Sequence, residues 1–227
     1  MKYVIKKALI STLPVLTGYL VLGFGFGLIM KSAGIGVIPS LAMSLLIYAG
    51  SMQYAAVGLL SGGASLITVA VTALMVNARH LFYGVSMLDK YRGTGAAKTY
   101  LALSLTDETF SLLCRENPEI AEENKKSYYI TVSVLNHFYW VAGTLLGSLA
   151  GALLMINTEG VDFALTALFV TVFVEGWLTS KKHIPALIGL FGSALSLIIF
   201  GSGNFLIPSM LLIALSLCLY KEGEGNE

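Results

Sequence analysis

Four charge-free runs limit what this chain can become: residues 8–30, 32–78, 127–158 and 183–220 contain no Lys, Arg, Asp or Glu. A transmembrane helix needs roughly 20 apolar residues, so the second and fourth runs are too long for one span and must each fold back. With 56% hydrophobic and 12% charged residues, the chain carries about half the charge usual in a soluble domain. A net charge of +1 offers no basic patch, which argues against a nucleic-acid partner and leaves the lipid bilayer as the surroundings. Cys114 and Cys218, too few for a disulfide framework, read as small core hydrophobes.

Broken at glycine and proline clusters, the runs give hydrophobic segments at about 8–30, 36–60, 65–88, 99–114, 128–156, 162–180, 184–200 and 204–220. The expected fold class is all-α, a polytopic membrane helix bundle of about 6–8 segments, some broken or re-entrant. Residues 1–227 form one transmembrane domain, with a polar linker at 115–127 and an acidic tail at 221–227. The apolar run after Lys6 and Lys7 is longer than a signal peptide requires and lacks a clear cleavage site.

Lys and Arg mark cytoplasmic loops. With the N-terminus inside, the linker at Arg115–Lys126, the pair Lys181–Lys182 and Lys221 all fall inside. The basic loop Asp89–Lys98 falls outside if every segment crosses. It moves inside if 36–60 and 99–114 dip in and return, a course allowed only where such segments line a cavity or are buried in protein. Both schemes put both termini in the cytoplasm.

Glycines recur every fourth position at Gly143, Gly147 and Gly151, as close helix packing requires. The denser set Gly18, Gly23, Gly25 and Gly27, after Pro14, leaves two readings open, packing or a kinked helix facing a cavity. Mid-segment, Tyr48-Ala49-Gly50-Ser51-Met52-Gln53-Tyr54 sets polar groups around a glycine at hydrocarbon depth. A helix interrupted there would free backbone N–H and C=O groups for a substrate; interhelical hydrogen bonding is the plainer alternative.

Asn77-Ala78-Arg79-His80 and Asp107-Glu108 place charge inside apolar segments. Such charges must be paired, protonated or snorkelled, and Arg79 is the natural partner of the acids. Adjacent helical residues point about 100° apart, so one acid faces a given site and the other caps or meets water. Asp107, Glu108 and His80 are the proton-coupling candidates. An amphipathic helix on the membrane surface is the plainer reading of 99–114. Glu175 is a further intramembrane charge; His137, Tyr139, Trp140 and Asn204 carry weaker signals, His137 as a structural histidine. No metal-ligand spacing, phosphate loop or catalytic constellation occurs, so neither cofactor nor enzyme is expected.

In order and spacing, Tyr48-Ala49-Gly50-Ser51-Met52-Gln53, Asn77-Ala78-Arg79-His80 and Thr106-Asp107-Glu108-Thr109 resemble the bacterial AzlC family. Pro14, Gly18, Phe24-Gly25 and the run from Phe138 to Thr144 extend the resemblance over essentially the whole chain. It implies the large subunit of a secondary exporter of branched-chain and similar neutral amino acids in the bacterial inner membrane. It also implies a small AzlD-type membrane protein as partner. The expected substrate-binding residues are Tyr48, Gly50, Ser51, Gln53, Asn77, Arg79, Asp107 and Glu108. Arg79 and the opened helix would take the substrate carboxylate, an acid its ammonium group, and Phe24, Phe26, Tyr48 and Tyr54 its aliphatic side chain. The competing expectations are an oligomeric channel and a non-transporting assembly subunit.

Overall fold

The computed structural model describes residues 2–114, 117, 119–153, 170, 173, 174, 177, 178, 180 and 182–220. Among these every regular element is helical, in an all-α membrane bundle. The sixth apolar segment with Glu175 lies almost wholly outside the described residues, as does the acidic tail. The chain divides into two compact units, Met1–Asp162 and Phe163–Glu227.

The first unit contains α1 (Lys2–Ser32), α2 (Val37–Leu46), α3 (Gly50–Ser61), α4 (Leu66–Val76), α5 (Ala78–Ser86), α6 (Ala97–Leu103), α7 (Asp107–Cys114) and α8 (Glu122–Leu153). Its spine is the pair α1 and α8, which run parallel. The Tyr128 hydroxyl of α8 donates to Ser11 Oγ of α1 at 3.0 Å toward the start, and Lys31 packs on Gly151 near the end. Between these points the two backbones touch. A Cβ at Gly143 would stand 2.9 Å from the carbonyl oxygens of Tyr19 and Leu20, and one at Gly23 2.8 Å from that of Trp140. Packing therefore explains Gly143, Gly147 and Gly151 and, in the first set, Gly23 and Gly27, as small residues do in membrane interfaces, whereas a Cβ at Gly18 would meet nothing within 4 Å. The kinked reading of the first set does not hold, because α1 runs unbroken for 31 residues with Gly23 and Gly27 buried against α8.

One end of this unit is fixed by several contacts. Lys7 pairs with Glu119, and the Lys90 ammonium donates to the Leu113 carbonyl at 3.1 Å and to that of Cys114. Val4, Ala8, Met87, Tyr91, Leu101, Leu113, Ile120 and Tyr128 form one buried cluster there. The start of α1, the end of α5, both ends of the α6–α7 pair and the start of α8 thus share one end.

The helix lengths do the rest. At 1.5 Å per residue α1 carries the chain some 45 Å to the opposite end. Leu66–Ser86, apolar and long enough to cross, brings it back. The α2–α3 pair must therefore leave and rejoin the far end, while α6–α7 leaves and rejoins the near end. Two re-entrant pairs enter from opposite faces, and the basic loop Asp89–Lys98 lies at the same end as the N-terminus. The surface-helix reading of 99–114 gives way to this arrangement. Free Cys114 closes α7 at that end and is exposed, not a core hydrophobe; the Cys218 side chain lies outside the described ones.

In the second unit, α9 (Ile184–Asn204) and α10 (Leu206–Leu219) pack together, with Gly192 against Ile213. Gly201, at φ 71° and ψ 168°, interrupts the end of α9.

Candidate functional site

Three helix breaks in the first unit carry the polar residues that the sequence leaves at membrane depth. Tyr48, between α2 and α3, has φ +44°, a left-handed conformation unusual for a bulky residue. Its N–H turns back to the Met43 carbonyl. The Ser44 carbonyl is thereby released from the helix and accepts from His137 Nε2 at 3.1 Å. The His137 ring stacks on Tyr48, centroids 4.1 Å apart, and its Nδ1 accepts from the Tyr100 hydroxyl at 3.2 Å. His137 is thus a structural clamp on the break. The second break is Asn77 between α4 and α5, and the third is Ser104–Thr106 between α6 and α7.

Each break starts a new helix, and one guanidinium ties the three starts together. Arg79 Nη1 lies 2.8 Å from Asp107 Oδ2, and Nη2 donates to Ser51 Oγ at 3.0 Å. Ser51 and Arg79 are the second residues of α3 and α5, and Asp107 is the first of α7. Neither α3 nor α5 has a side-chain cap, so no capping side chain offsets the positive dipole end at the start of either helix. Asp107 and Glu108 supply negative charge to the first turn of α7. Arg79 Nε and Asn77 Oδ1 are buried without a hydrogen-bond partner, one donor and one acceptor still available.

Glu108 joins a different set. The Tyr19 hydroxyl, from α1, donates to Glu108 Oε2 at 2.6 Å and lies 2.6 Å from Thr106 Oγ1. Thr106 Oγ1 donates to Thr109 Oγ1 at 3.0 Å, where Asn136 Nδ2 of α8 also donates at 3.0 Å. The two acids therefore both engage polar partners on different sides, and neither is left as a spare cap.

Gln53 is fully buried and spends both ends of its amide inside the bundle. Nε2 donates to Ser44 Oγ at 3.1 Å, and Oε1 accepts from Trp140 Nε1 at 3.0 Å. Ser44 Oγ in turn meets Thr144 Oγ1 at 2.8 Å. Gln53 locks the re-entrant pair to α8 and lies apart from the Arg79 cluster. Gly50 has the same use, since a Cβ there would stand 3.0 Å from the Trp140 ring. His80 packs edge-on to Tyr83, centroids 5.8 Å apart, and stays out of the ion pair. Of the expected apolar walls, Tyr48 is buried edge-on to Tyr19, centroids 6.5 Å apart, whereas Phe26 is buried against Tyr54 and Trp140 and Phe24 is exposed.

Of the expected residues, the structure thus unites Ser51, Arg79 and Asp107, with Asn77 and Tyr48 at adjoining breaks and Glu108 one partner away. Tyr19, Ser44, Thr106, Asn136 and Thr144 complete the site without having been expected. For Tyr19, Ser44, Asn136 and Thr144 the signal in the sequence is a polar atom inside a charge-free run, and for Thr106 its place beside Asp107. What the cluster offers chemically is a fixed ion pair with spare donors and acceptors, suited to holding a zwitterion. Among the described residues no three potential metal ligands converge.

The model of the AzlC protein family matches residues 14–154, more than half of the chain and all of the residues just described. The "Branched-chain amino acid transport protein AzlC" of Bacillus subtilis (strain 168) is 46% identical over 208 residues, covering 92% of this chain and 82% of that protein. An "Uncharacterized membrane protein" of Helicobacter pylori (strain ATCC 700392 / 26695) is 39% identical over 217 residues, 96% of this chain and 95% of its own length. "Inner membrane protein YgaZ" of Escherichia coli (strain K12) is 30% identical over 183 residues, 78% of this chain and 73% of that one. No solved structure matches.

Proposed function

The chain belongs to the AzlC family of membrane proteins, and from that premise we propose that it exports branched-chain and similar neutral amino acids by secondary active transport. Leucine, isoleucine, valine and methionine are the substrates, protons drive the export, and a small AzlD-type membrane subunit acts with it. The chain sits in the bacterial inner membrane with both termini in the cytoplasm. In support of that orientation, Lys2, Lys6, Lys7, Lys90, Arg92, Lys125 and Lys126 gather toward the end of the first unit where α1 starts.

One observation carries the reading: Arg79 bridges Ser51 and Asp107 where three helices start anew within apolar segments. Broken helices facing each other are how transporters expose free backbone groups and dipole ends to a charged substrate at mid-membrane. The substrate carboxylate binds Arg79 Nε and the uncapped N-termini of α3 and α5. Its ammonium group donates to Asp107 and to Asn77 Oδ1. The branched side chain lies against the edge-packed rings of Tyr48 and Tyr19. Re-entrant pairs entering from opposite faces let either face open while the other stays shut.

The test is equilibrium binding of labelled leucine to the protein purified with its small subunit. The wild type binds leucine, isoleucine and valine and fails to bind leucine methyl ester, which lacks the carboxylate. Arg79→Ala and Asp107→Asn each weaken binding at least about tenfold, as loss of a charge-assisted contact requires. Unchanged affinity in both variants would overturn the proposal.

A further inference from the structure

Two acids stand side by side at the start of α7, and their surroundings give them different work. We infer that Glu108 is the residue that takes up and releases the coupling proton, with the Tyr19–Thr106–Thr109 hydroxyl chain absorbing the change, while Asp107 stays ionised as the fixed partner of Arg79. The inference rests on the proton-coupled reading above and names the group within that site that performs it.

Asp107 lies 2.8 Å from the Arg79 guanidinium. A proton on Asp107 would strand that cation among apolar helices, which is the costly way to neutralise a pair. Glu108 has no such constraint: among the described residues it takes part in no ion pair. The titratable groups facing it are the phenols of Tyr19 from α1, Tyr48 from the first break and Tyr83 from α5, with Asp107 and Arg79 beside it. From α8 the uncharged Asn136 closes the far end of the hydroxyl chain. A hydroxyl neighbour can donate to the carboxylate or accept from the carboxylic acid, so the contact between Tyr19 and Glu108 is kept in both forms.

The hydroxyl chain has one proton arrangement for each state. Each hydroxyl owns one proton. Tyr19 donates to Glu108, and Thr106 donates to Thr109, so neither proton serves the 2.6 Å contact between Tyr19 and Thr106. When Glu108 gains a proton it donates to Tyr19, Tyr19 turns to Thr106, and every contact holds one proton. When Glu108 is ionised the same contacts are filled only if both threonines turn round, Thr109 donating to Thr106 and Thr106 to Tyr19. Asn136 Nδ2 then remains a donor to Thr109. One proton enters or leaves at Glu108, three hydroxyls rotate, and no heavy atom moves. Because Tyr19 belongs to α1 and Thr106 to the tip of the α6–α7 pair, the state of Glu108 is felt where a re-entrant pair meets the spine of the unit.

The test uses the protein with its small subunit in proteoliposomes, with labelled leucine and two readouts. Counterflow measures substrate exchange without net proton movement, and accumulation against a gradient measures coupling. The wild type does both. Glu108→Gln loses proton-driven accumulation, and whatever counterflow it retains no longer varies with pH, since the acid that would bind the proton is gone. Asp107→Asn loses both. Tyr19→Phe displaces the pH midpoint of transport, a change that mere loss of packing would not produce. Proton-driven accumulation by Glu108→Gln overturns the inference and leaves the proposed function standing, as does an unmoved pH midpoint in Tyr19→Phe. Wild-type transport that ignores the proton gradient overturns the proton-coupled reading itself.

Discussion

Asp107→Asn tests the Arg79 pair at its weakest point, because it removes charge and keeps shape. Opposite unit charges 2.8 Å apart attract by about 6 kcal/mol at an effective dielectric constant of roughly 20. More than a third of each side chain is accessible, 36% for Arg79 and 38% for Asp107. Screening in such a setting reduces the net coupling to about 2–3 kcal/mol, equivalent to a factor of roughly 30–150 in an equilibrium. The assay is a double-mutant cycle on unfolding free energy, with SDS titrated into bicelles holding wild type, Asp107→Asn, Arg79→Gln and the double variant. Each single variant leaves one charge stranded, whereas the double variant leaves none. The double variant therefore recovers about 2–3 kcal/mol relative to the sum of the singles, and it still does not transport. A coupling energy below about 0.5 kcal/mol, the scatter expected of independent sites, would refute the reasoning.

Other residues give sharper structural outcomes. Trp140→Phe leaves Gln53 Oε1 buried without its donor and should cost about 1–3 kcal/mol of stability, read as a lower melting temperature in detergent. Gly143→Val drives a side chain into the Tyr19 and Leu20 carbonyls and should cost about 1–3 kcal/mol or more, whereas Gly18→Ala, with nothing within 4 Å of its Cβ, should leave stability unchanged or raise it by up to about 1 kcal/mol. In a cysteine-free background, a single cysteine at Gly93 should react with an impermeant thiol reagent from the same side as the N-terminus, and one at Ala64 from the opposite side. Labelling of both from one side would contradict the two re-entrant pairs.

Much of this was legible because charge is so rare in the chain. The segment 184–200 nearly matches the observed Ile184–Asn204, whereas 36–60, 65–88 and 99–114 each hold two helices, and α1 and α8 each begin six residues before the segment that marks them. With so few ions inside the membrane, Arg79 and Asp107 had little choice of partner. The basic loop Asp89–Lys98 pointed to re-entrant segments, since only they place it with the other basic loops. Partnerships among uncharged groups were not legible. Tyr19 is one of 11 tyrosines, and nothing local says that its hydroxyl reaches Glu108. That contact exists because Gly23 and Gly143 let α1 and α8 run backbone to backbone, which sets the depth of every residue on α1. Gln53 misled for the same reason: an amide beside a helix break looks like a ligand, but the distant Trp140 and Ser44 consume it. The glycines of α1 stayed ambiguous until their partner helix was in place.

Movement of a zwitterionic apolar amino acid through the site organised by Arg79 is read out in inverted membrane vesicles holding the chain and its small subunit, energised to carry a proton gradient and given labelled leucine. Wild-type vesicles should accumulate leucine and lose it on addition of a protonophore, and vesicles carrying Arg79→Ala at equal abundance should accumulate none. Accumulation by Arg79→Ala at the wild-type level, or none by the wild type beyond vesicles lacking the chain, would contradict transport through that site.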